Sequence, residues 1–337
     1  MAALPHTGET TIGELVQSGA YGEFAKFIFT YMTPDHWQNK LSAYGYEKAG
    51  FEAGLQRMRE LASTGETLHF QVYPETERLA SWDKDTVWLE YFPSLKKEEN
   101  QPYVLILPGG GFNRQWGFIE GQAIAARANA LGYPAFVLYY RVKQEPVMPL
   151  PIEDVYGAVR FIAQNAALFG VDPERYLLGG FSAGASIAGC LLTERFSWRQ
   201  GGIPKPTAVF LGYAPTRFNE FYQAWQDAPE GSAAREGYAA VLRRVGGPNF
   251  SMDTLSPYDL PARLKPDAPP VYITANLDDP VVPAVNSLAL IDALKARGME
   301  YQAKIGKSGG HSYGLGNGLE VAGWFDGAIA LFSSHLK

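Results

Sequence analysis

Apolar residues follow two rhythms along the chain. Over roughly the first 65 residues they recur at helical spacing, with few strand signals, between Leu15 and Met32 and again between Tyr44 and Leu61. Phe51, Leu55, Met58 and Leu61 fall on one helix face, and Ser63-Thr64-Gly65 ends the run. Residues 1–66 therefore read as a helical extension ahead of a main domain at 67–337. Besides plain stabilisation, such an extension would suit shaping a pocket or mediating a homo-oligomer.

From Leu68 the rhythm changes. Leu68–Tyr73 and Thr86–Phe92 predict an antiparallel opening pair of strands. Six short apolar runs follow: Tyr103–Leu107, Ala135–Tyr140, Tyr176–Leu178, Ala208–Gly212, Val271–Ala275 and Tyr301–Ile305. Most are apolar on both faces, as parallel strands covered by helices must be. Between them lie helix-length segments, Gln122–Leu131, Ile152–Phe169 and Ala284–Arg297, each stopped by a glycine. Gly323–Leu336 predicts a closing helix. The expected fold is α/β: an eight-stranded, mostly parallel sheet with helices on both faces. Arg217–Leu260 is too long for an ordinary connection and rich in Phe, Tyr and Trp, so it predicts one or two helices forming a lid-like insertion.

Composition removes several function classes. The net charge is −6 and no Lys/Arg cluster stands out, which argues against a nucleic-acid partner. No run approaches the length of a membrane span. Met1 to Thr10 lacks the basic and apolar parts of a signal peptide, so a cytoplasmic protein is expected. The single cysteine, Cys190, cannot form an intramolecular disulfide and reads as a packing residue. No cluster has metal-ligand spacing and no G-x-G-x-x-G follows a strand, so no metal or cofactor is implied.

The sharpest chemical signal is Gly180-Phe181-Ser182-Ala183-Gly184, a G-x-S-x-G run between an apolar strand and a small-residue helix. A sharp turn there would hold Ser182 Oγ clear of the sheet. Gly180 and Gly184 would remove side chains that collide as strand and helix close on each other. Upstream, Pro108-Gly109-Gly110-Gly111-Phe112 follows a strand directly, with neither the lysine nor the immediate helix of a phosphate cradle. The N–H groups of Gly110, Gly111 and Ala183 are candidate oxyanion donors.

A nucleophilic serine needs a base. His6 and His36 lie in the extension, His69 in the first strand, His335 in the last helix. Only His311, in Gly309-Gly310-His311-Ser312, occupies a loop after the last strand. The acid that orients it should be one of Asp278 and Asp279, just after Val271–Ala275. Asp278 is favoured: it lies nearer the strand end, and Asp279, next to Pro280, could instead cap the helix that follows.

Leu105–Thr193 resembles the bacterial acetyl-esterase and acetylxylan-esterase-like branch of the α/β hydrolases, a branch related to hormone-sensitive-lipase-like and feruloyl-esterase-like enzymes. The carrying residues are Pro108-Gly109-Gly110-Gly111-Phe112, Tyr140-Arg141-Val142, Asp154 and Gly180-Phe181-Ser182-Ala183-Gly184. Ser256-Pro257-Tyr258, Asp278 through Pro283, Asn286-Ser287 and Gly310-His311 are similar too. The resemblance implies an α/β-hydrolase fold and a triad of Ser182, Asp278 and His311 with Gly110, Gly111 and Ala183 as oxyanion hole. It also implies a serine esterase for short, acetyl-type esters of sugars or small alcohols, with a small-molecule or carbohydrate ester as partner. Feruloyl or aryl esters, peptidase-like action, and a non-catalytic binding protein on a hydrolase scaffold are the rival expectations. Two features depart from the pattern: Gly184-Ala185-Ser186, where many relatives have Gly-Gly-His, and the N-terminal extension.

Overall fold

The computed structural model describes residues 7–45, 49–96 and 98–336. His6 and residues 46–48 of the expected second helical stretch lie outside the described residues. Eight strands form one sheet: β1 (His69–Gln71), β2 (Trp88–Phe92), β3 (Gln101–Leu107), β4 (Ala135–Tyr139), β5 (Val171–Phe181), β6 (Ala208–Gly212), β7 (Val271–Asn276) and β8 (Tyr301–Gly306). Their order across the sheet is β1-β2-β4-β3-β5-β6-β7-β8. β2 runs antiparallel to both neighbours, and every other pair is parallel. The architecture is the mostly parallel α/β sheet that the apolar runs predict, with the fold that the resemblance to α/β hydrolases implies.

Strand order fixes where a site can form. From β3 the chain crosses to β4 on one side, then returns to place β5 on the other. The two connections leave the sheet in opposite directions and open a crevice at the C-terminal ends of β3 and β5. Helices cover both faces. Ala123–Ala130 and Trp324–Ser334 are joined on one face by the ion pair of Arg127 and Asp326. Leu150–Gln164 and Ala183–Cys190 pack together on the other. The strands between are apolar on both sides and almost wholly buried. Cys190 is buried in its helix, and its thiol pKa is pushed up by burial.

Two boundaries differ from the sequence reading. β5 extends well ahead of Tyr176, because its polar opening, Asp172–Arg175, lies at a partly exposed end that breaks register with β3 between Gln101 and Tyr103. The expected helix Ile152–Phe169 is two helices, Leu150–Gln164 and Ala166–Phe169, with a break at Asn165, whose amide donates to Phe161 O at 2.8 Å. Local side-chain bonding of this kind competes with the helix.

In the N-terminal extension, Ile12–Gln17 and Phe51–Ala62 are α-helical and Gly22–Phe27 is a 3-10 turn. Phe51, Leu55, Met58 and Leu61 are all buried, as their spacing predicts. Burying each such side chain stabilises the fold by roughly 1.5–3 kcal/mol. A Cβ on Gly54 would stand 3.0 Å from Ala123 Cα, so this helix lies directly on the one following the triple-glycine loop. The extension also reaches that loop by hydrogen bonds, Gln115 N–H donating to Thr30 Oγ1 and Thr30 N–H to Gln115 O. The insertion holds the helices Phe218–Asp227 and Ala233–Gly246, then a short one, Met252–Leu255, and a 3-10 turn, Ser256–Tyr258. Among the described residues no helix is long and apolar enough to cross a membrane.

One buried ion pair braces the chain behind the crevice. Arg141 lies just beyond β4, 2% exposed; Asp154 lies in the next helix at 0%. Arg141 N–H donates to Asp154 Oδ2 at 2.8 Å, Nε–H to Oδ1 at 2.9 Å, and the Tyr73 hydroxyl to Oδ1 at 2.7 Å. Burial opposes the guanidinium charge, but Asp154, helped by Tyr73 and Asp83, holds the pKa of Arg141 above its ordinary value. Asp154→Ala would leave Arg141 buried without its main counter-charge. The expected cost is about 3–5 kcal/mol, read by urea unfolding. A loss no larger than that of a typical surface substitution, about 0.5 kcal/mol, would contradict it.

Candidate active site

Ser182 sits between β5 and the helix Ala183–Cys190 with φ 48° and ψ −120°. That conformation is strained for a residue with a Cβ, and the surrounding packing enforces it. Its N–H is pinned to Gly212 O at 2.9 Å. A Cβ on Gly184 would lie 2.2 Å from Leu107 O, and one on Gly180 2.6 Å from the same oxygen. The turn can therefore close only with glycine at both places.

His311 Nε2 lies 3.0 Å from Ser182 Oγ. His311 Nδ1 lies 2.7 Å from Asp279 Oδ2, not from Asp278. The favoured acid is corrected to its neighbour, for a local reason. β7 runs one residue further than expected, to Asn276, and Leu277 N–H still bonds Gly306 O. The chain turns at Leu277 and Asp278, and Asp279, just after the turn, is 7% exposed. Its Oδ1 accepts from Val281 N–H at 2.8 Å and Val282 N–H at 2.9 Å. Asp279 thus does serve the turn ahead of the next helix, as the sequence suggests, but with one oxygen, leaving the other for the imidazole. Asp278 points outward and accepts from Gly309 N–H at 3.1 Å and Gly310 N–H at 2.9 Å. Those two bonds, Gly310 first, hold its pKa below the ordinary carboxylate value. It fixes the backbone of the histidine loop, whereas Asp279 fixes the ring.

The tautomer follows from the partners. A carboxylate only accepts, so Nδ1 carries the proton and Nε2 is left as acceptor for the Ser182 hydroxyl. Gly110 and Gly111 follow β3 with φ 140° and 63°, and their loop is tied by Asn113 N–H donating to Gly110 O at 3.1 Å. The N–H groups of Gly110, Gly111 and Ala183 have no acceptor among the described residues. Ser186 Oγ–H donates to Pro215 O at 2.9 Å and ties the helix to the loop after β6.

A cavity of about 650 Å³ opens over these groups. Ser182, His311, Gly110 and Gly111 form its floor, and Tyr44, Trp116, Pro280 and Val281 are among its walls. Ala43, Tyr44 and Gly45 come from the N-terminal extension. The 217–260 insertion supplies none of the lining; it backs the triple-glycine loop, with Phe218 against Phe112 and Arg244 Nη1 donating to Gly111 O at 3.4 Å. Another cavity, of about 700 Å³, lies between residues 50–56 and 315–326 and holds neither serine nor histidine.

A family model described as BD-FAE matches residues 90–294, more than half of the chain and every strand from β3 to β7. The chain belongs to the BD-FAE family. It is 28% identical over 238 residues to an endo-1,4-beta-xylanase B of Butyrivibrio fibrisolvens, covering 68% of this chain and 35% of that protein. It is 34% identical over 146 residues to the carboxylesterase NlhH of Mycobacterium tuberculosis, covering 41% and 43%. The chain thus spans less than half the length of these two relatives. Among solved structures, an acetyl ester-xyloside bifunctional hydrolase from Caldicellulosiruptor lactoaceticus shares the fold, with a TM-score of 0.63 and 24% identity over 79% of this chain and 95% of that one.

Beneath this BD-FAE-family site lies a carboxylate that motif reading misses. Glu120 is 1% exposed, on a π-helical turn, Phe118–Gln122. Its Oε2 accepts from Gly109 N–H at 2.7 Å and its Oε1 from the Tyr213 hydroxyl at 2.8 Å. The Tyr213 ring meets the His311 ring edge-on, 4.7 Å between centroids. Glu120 therefore joins the triple-glycine loop to the histidine. The only signal was a lone acid in the apolar run Gly117–Ala126. Burial raises its pKa above 4.5; His311, Tyr213 and Gly109 pull the other way without cancelling the shift.

That shift has a sign. A raised carboxyl pKa means the folded chain binds more protons than the unfolded one above the ordinary glutamate value. The stability it brings is complete below that value and is lost as pH rises through the pKa of Glu120. Urea midpoints measured across this window should fall less steeply with pH in Glu120→Gln than in the parent. Equal slopes would contradict the assignment.

Proposed function

We propose that this protein is a serine carboxylic-ester hydrolase working through an acyl-enzyme. The observation that carries the reading is the relay Ser182 Oγ–His311 Nε2 at 3.0 Å and His311 Nδ1–Asp279 Oδ2 at 2.7 Å, beside three amides with no acceptor among the described residues. As Oγ attacks the ester carbonyl, His311 takes its proton and Asp279 steadies the imidazolium. The carbonyl oxygen becomes an alkoxide, held by N–H groups of Gly110, Gly111 and Ala183; each such donor is worth about 3 kcal/mol of barrier. The C–O bond breaks, His311 protonates the departing alcohol, and water, giving its proton to His311, cleaves the acyl-serine.

The substrates we infer are short, acetyl-type esters of sugars or small alcohols. Two relatives named for xylan or xyloside chemistry, and a cavity walled by Tyr44 and Trp116 and open to solvent, support this reading. Labelling by a fluorophosphonate probe tests the nucleophile. The parent protein should label and Ser182→Ala should not; an unlabelled parent would point instead to a binding protein on the same scaffold. A rate series over p-nitrophenyl esters of increasing chain length, with acetylated xylan alongside, tests the substrate class: acetate fastest is the expected result.

A further inference from the structure

The wall of the Ser182 cavity is electrically one-sided. Among the described residues that line it, Arg114 is the one charged side chain apart from His311. Arg114 follows the triple-glycine loop at once, and its N–H donates back to Gly110 O at 3.3 Å. The loop that supplies the amides therefore also sets where the guanidinium stands.

Arg114 is held but not neutralised. Its Nη1 lies 2.8 Å from His36 Nε2. A guanidinium only donates, so His36 accepts there and is uncharged; its Nδ1 lies 2.7 Å from Thr33 Oγ1 and 3.2 Å from Thr33 N. Burial, then Arg114, lower the pKa of His36, which fits the neutral form. The Phe29 ring lies 5.9 Å from the guanidinium carbon. No carboxylate among the described residues forms an ion pair with Arg114, and no acceptor among them meets its Nε or Nη2. Nε and Nη2 are an edge whose two parallel N–H groups match a carboxylate. Behind the loop stands a second cation, Arg244, and Arg114 is one of the charges that lower its pKa, after burial. Glu145 already faces Arg244 and raises its pKa, so of the two guanidinium groups it is Arg114, in the cavity lining, that is open to an anion.

We infer that Arg114 is a carboxylate-binding, specificity-determining residue, and that the preferred ester carries a free carboxylate besides the ester group. The inference rests on Ser182 acting as the esterase nucleophile. Two ester classes place such a carboxylate: half-esters of dicarboxylic acids, on the acyl side, and acylated hydroxy acids or uronic acids, on the alcohol side.

Matched pairs separate them. Monomethyl adipate against methyl hexanoate probes the acyl side, and p-acetoxybenzoate against its methyl ester probes the alcohol side. Each ratio of kcat/KM is measured for the parent, Arg114→Gln and Arg114→Lys. In at least one pair the parent should favour the charged ester about ten- to hundredfold, the range of a hydrogen bond to a charged group. Arg114→Gln should bring that ratio near one, and Arg114→Lys should keep part of it. The pair that responds names the side. Equal cleavage of charged and neutral esters by the parent, or a preference that survives Arg114→Gln, overturns the inference and leaves the esterase reading standing. No cleavage of any of these esters, with no fluorophosphonate labelling, overturns both.

Discussion

Alanine in place of Ser182 should lower kcat on p-nitrophenyl acetate by on the order of a millionfold. The loss is large because no other group can form the acyl-enzyme. It should not be total: amides that hold an oxyanion still favour direct attack by water, worth about a thousandfold or more over solution. The protein should remain folded, since Ala removes only a hydroxyl and the strained φ is imposed by Gly180, Gly184 and the Gly212 bond. Steady-state kinetics with a far-UV spectrum check both points. A variant retaining more than about a hundredth of parental kcat would remove Ser182 from the role, because losses at a nucleophile run orders of magnitude beyond that.

Asn in place of Asp279 should lower kcat by about ten-thousandfold. An amide can present an N–H where the carboxylate presents a lone pair, which flips the imidazole to the tautomer with Nε2–H and removes the acceptor that Ser182 needs. The decisive control is Asp278→Ala. It loses two bonds to the histidine loop but leaves the ring partnered, so its cost should not exceed about a hundredfold, the scale of a small misplacement. Equal losses in both variants would defeat the assignment of Asp279. The Asp279→Asn effect should also shrink at high pH, where a hydroxide-assisted reaction needs no base.

The comparison of Asp278 with Asp279 shows where sequence reading stops. Strands and helices were legible because burial on two faces leaves long apolar runs; β4, β6 and β7 stand within a residue of their expected places. Ser182, His311 and the triple-glycine loop were legible because their backbone demands glycine at fixed positions. The acid was not, because its identity depends on whether β7 ends at Ala275 or Asn276, a difference set by pairing with β8 rather than by any local preference. Glu120 was illegible for another reason. Its partners, Gly109 and Tyr213, come from loops after two different strands, and only the folded chain brings them together. The cavity wall is of the same kind: helical spacing revealed the extension, but not that Tyr44 would face Ser182.

The clasp between Thr30 and Gln115 makes two distant parts of the chain a single device with divided labour. Reactive groups come from loops at the ends of β3, β5, β7 and β8, whose geometry tolerates little change. Part of the wall that a substrate meets, Ala43, Tyr44 and Gly45, comes from the extension, and His36 there holds Arg114. Substitutions there can redraw the set of accepted esters while the relay keeps its distances. Descendants of this chain could therefore acquire new substrates by drift in one short stretch, without passing through an inactive ancestor.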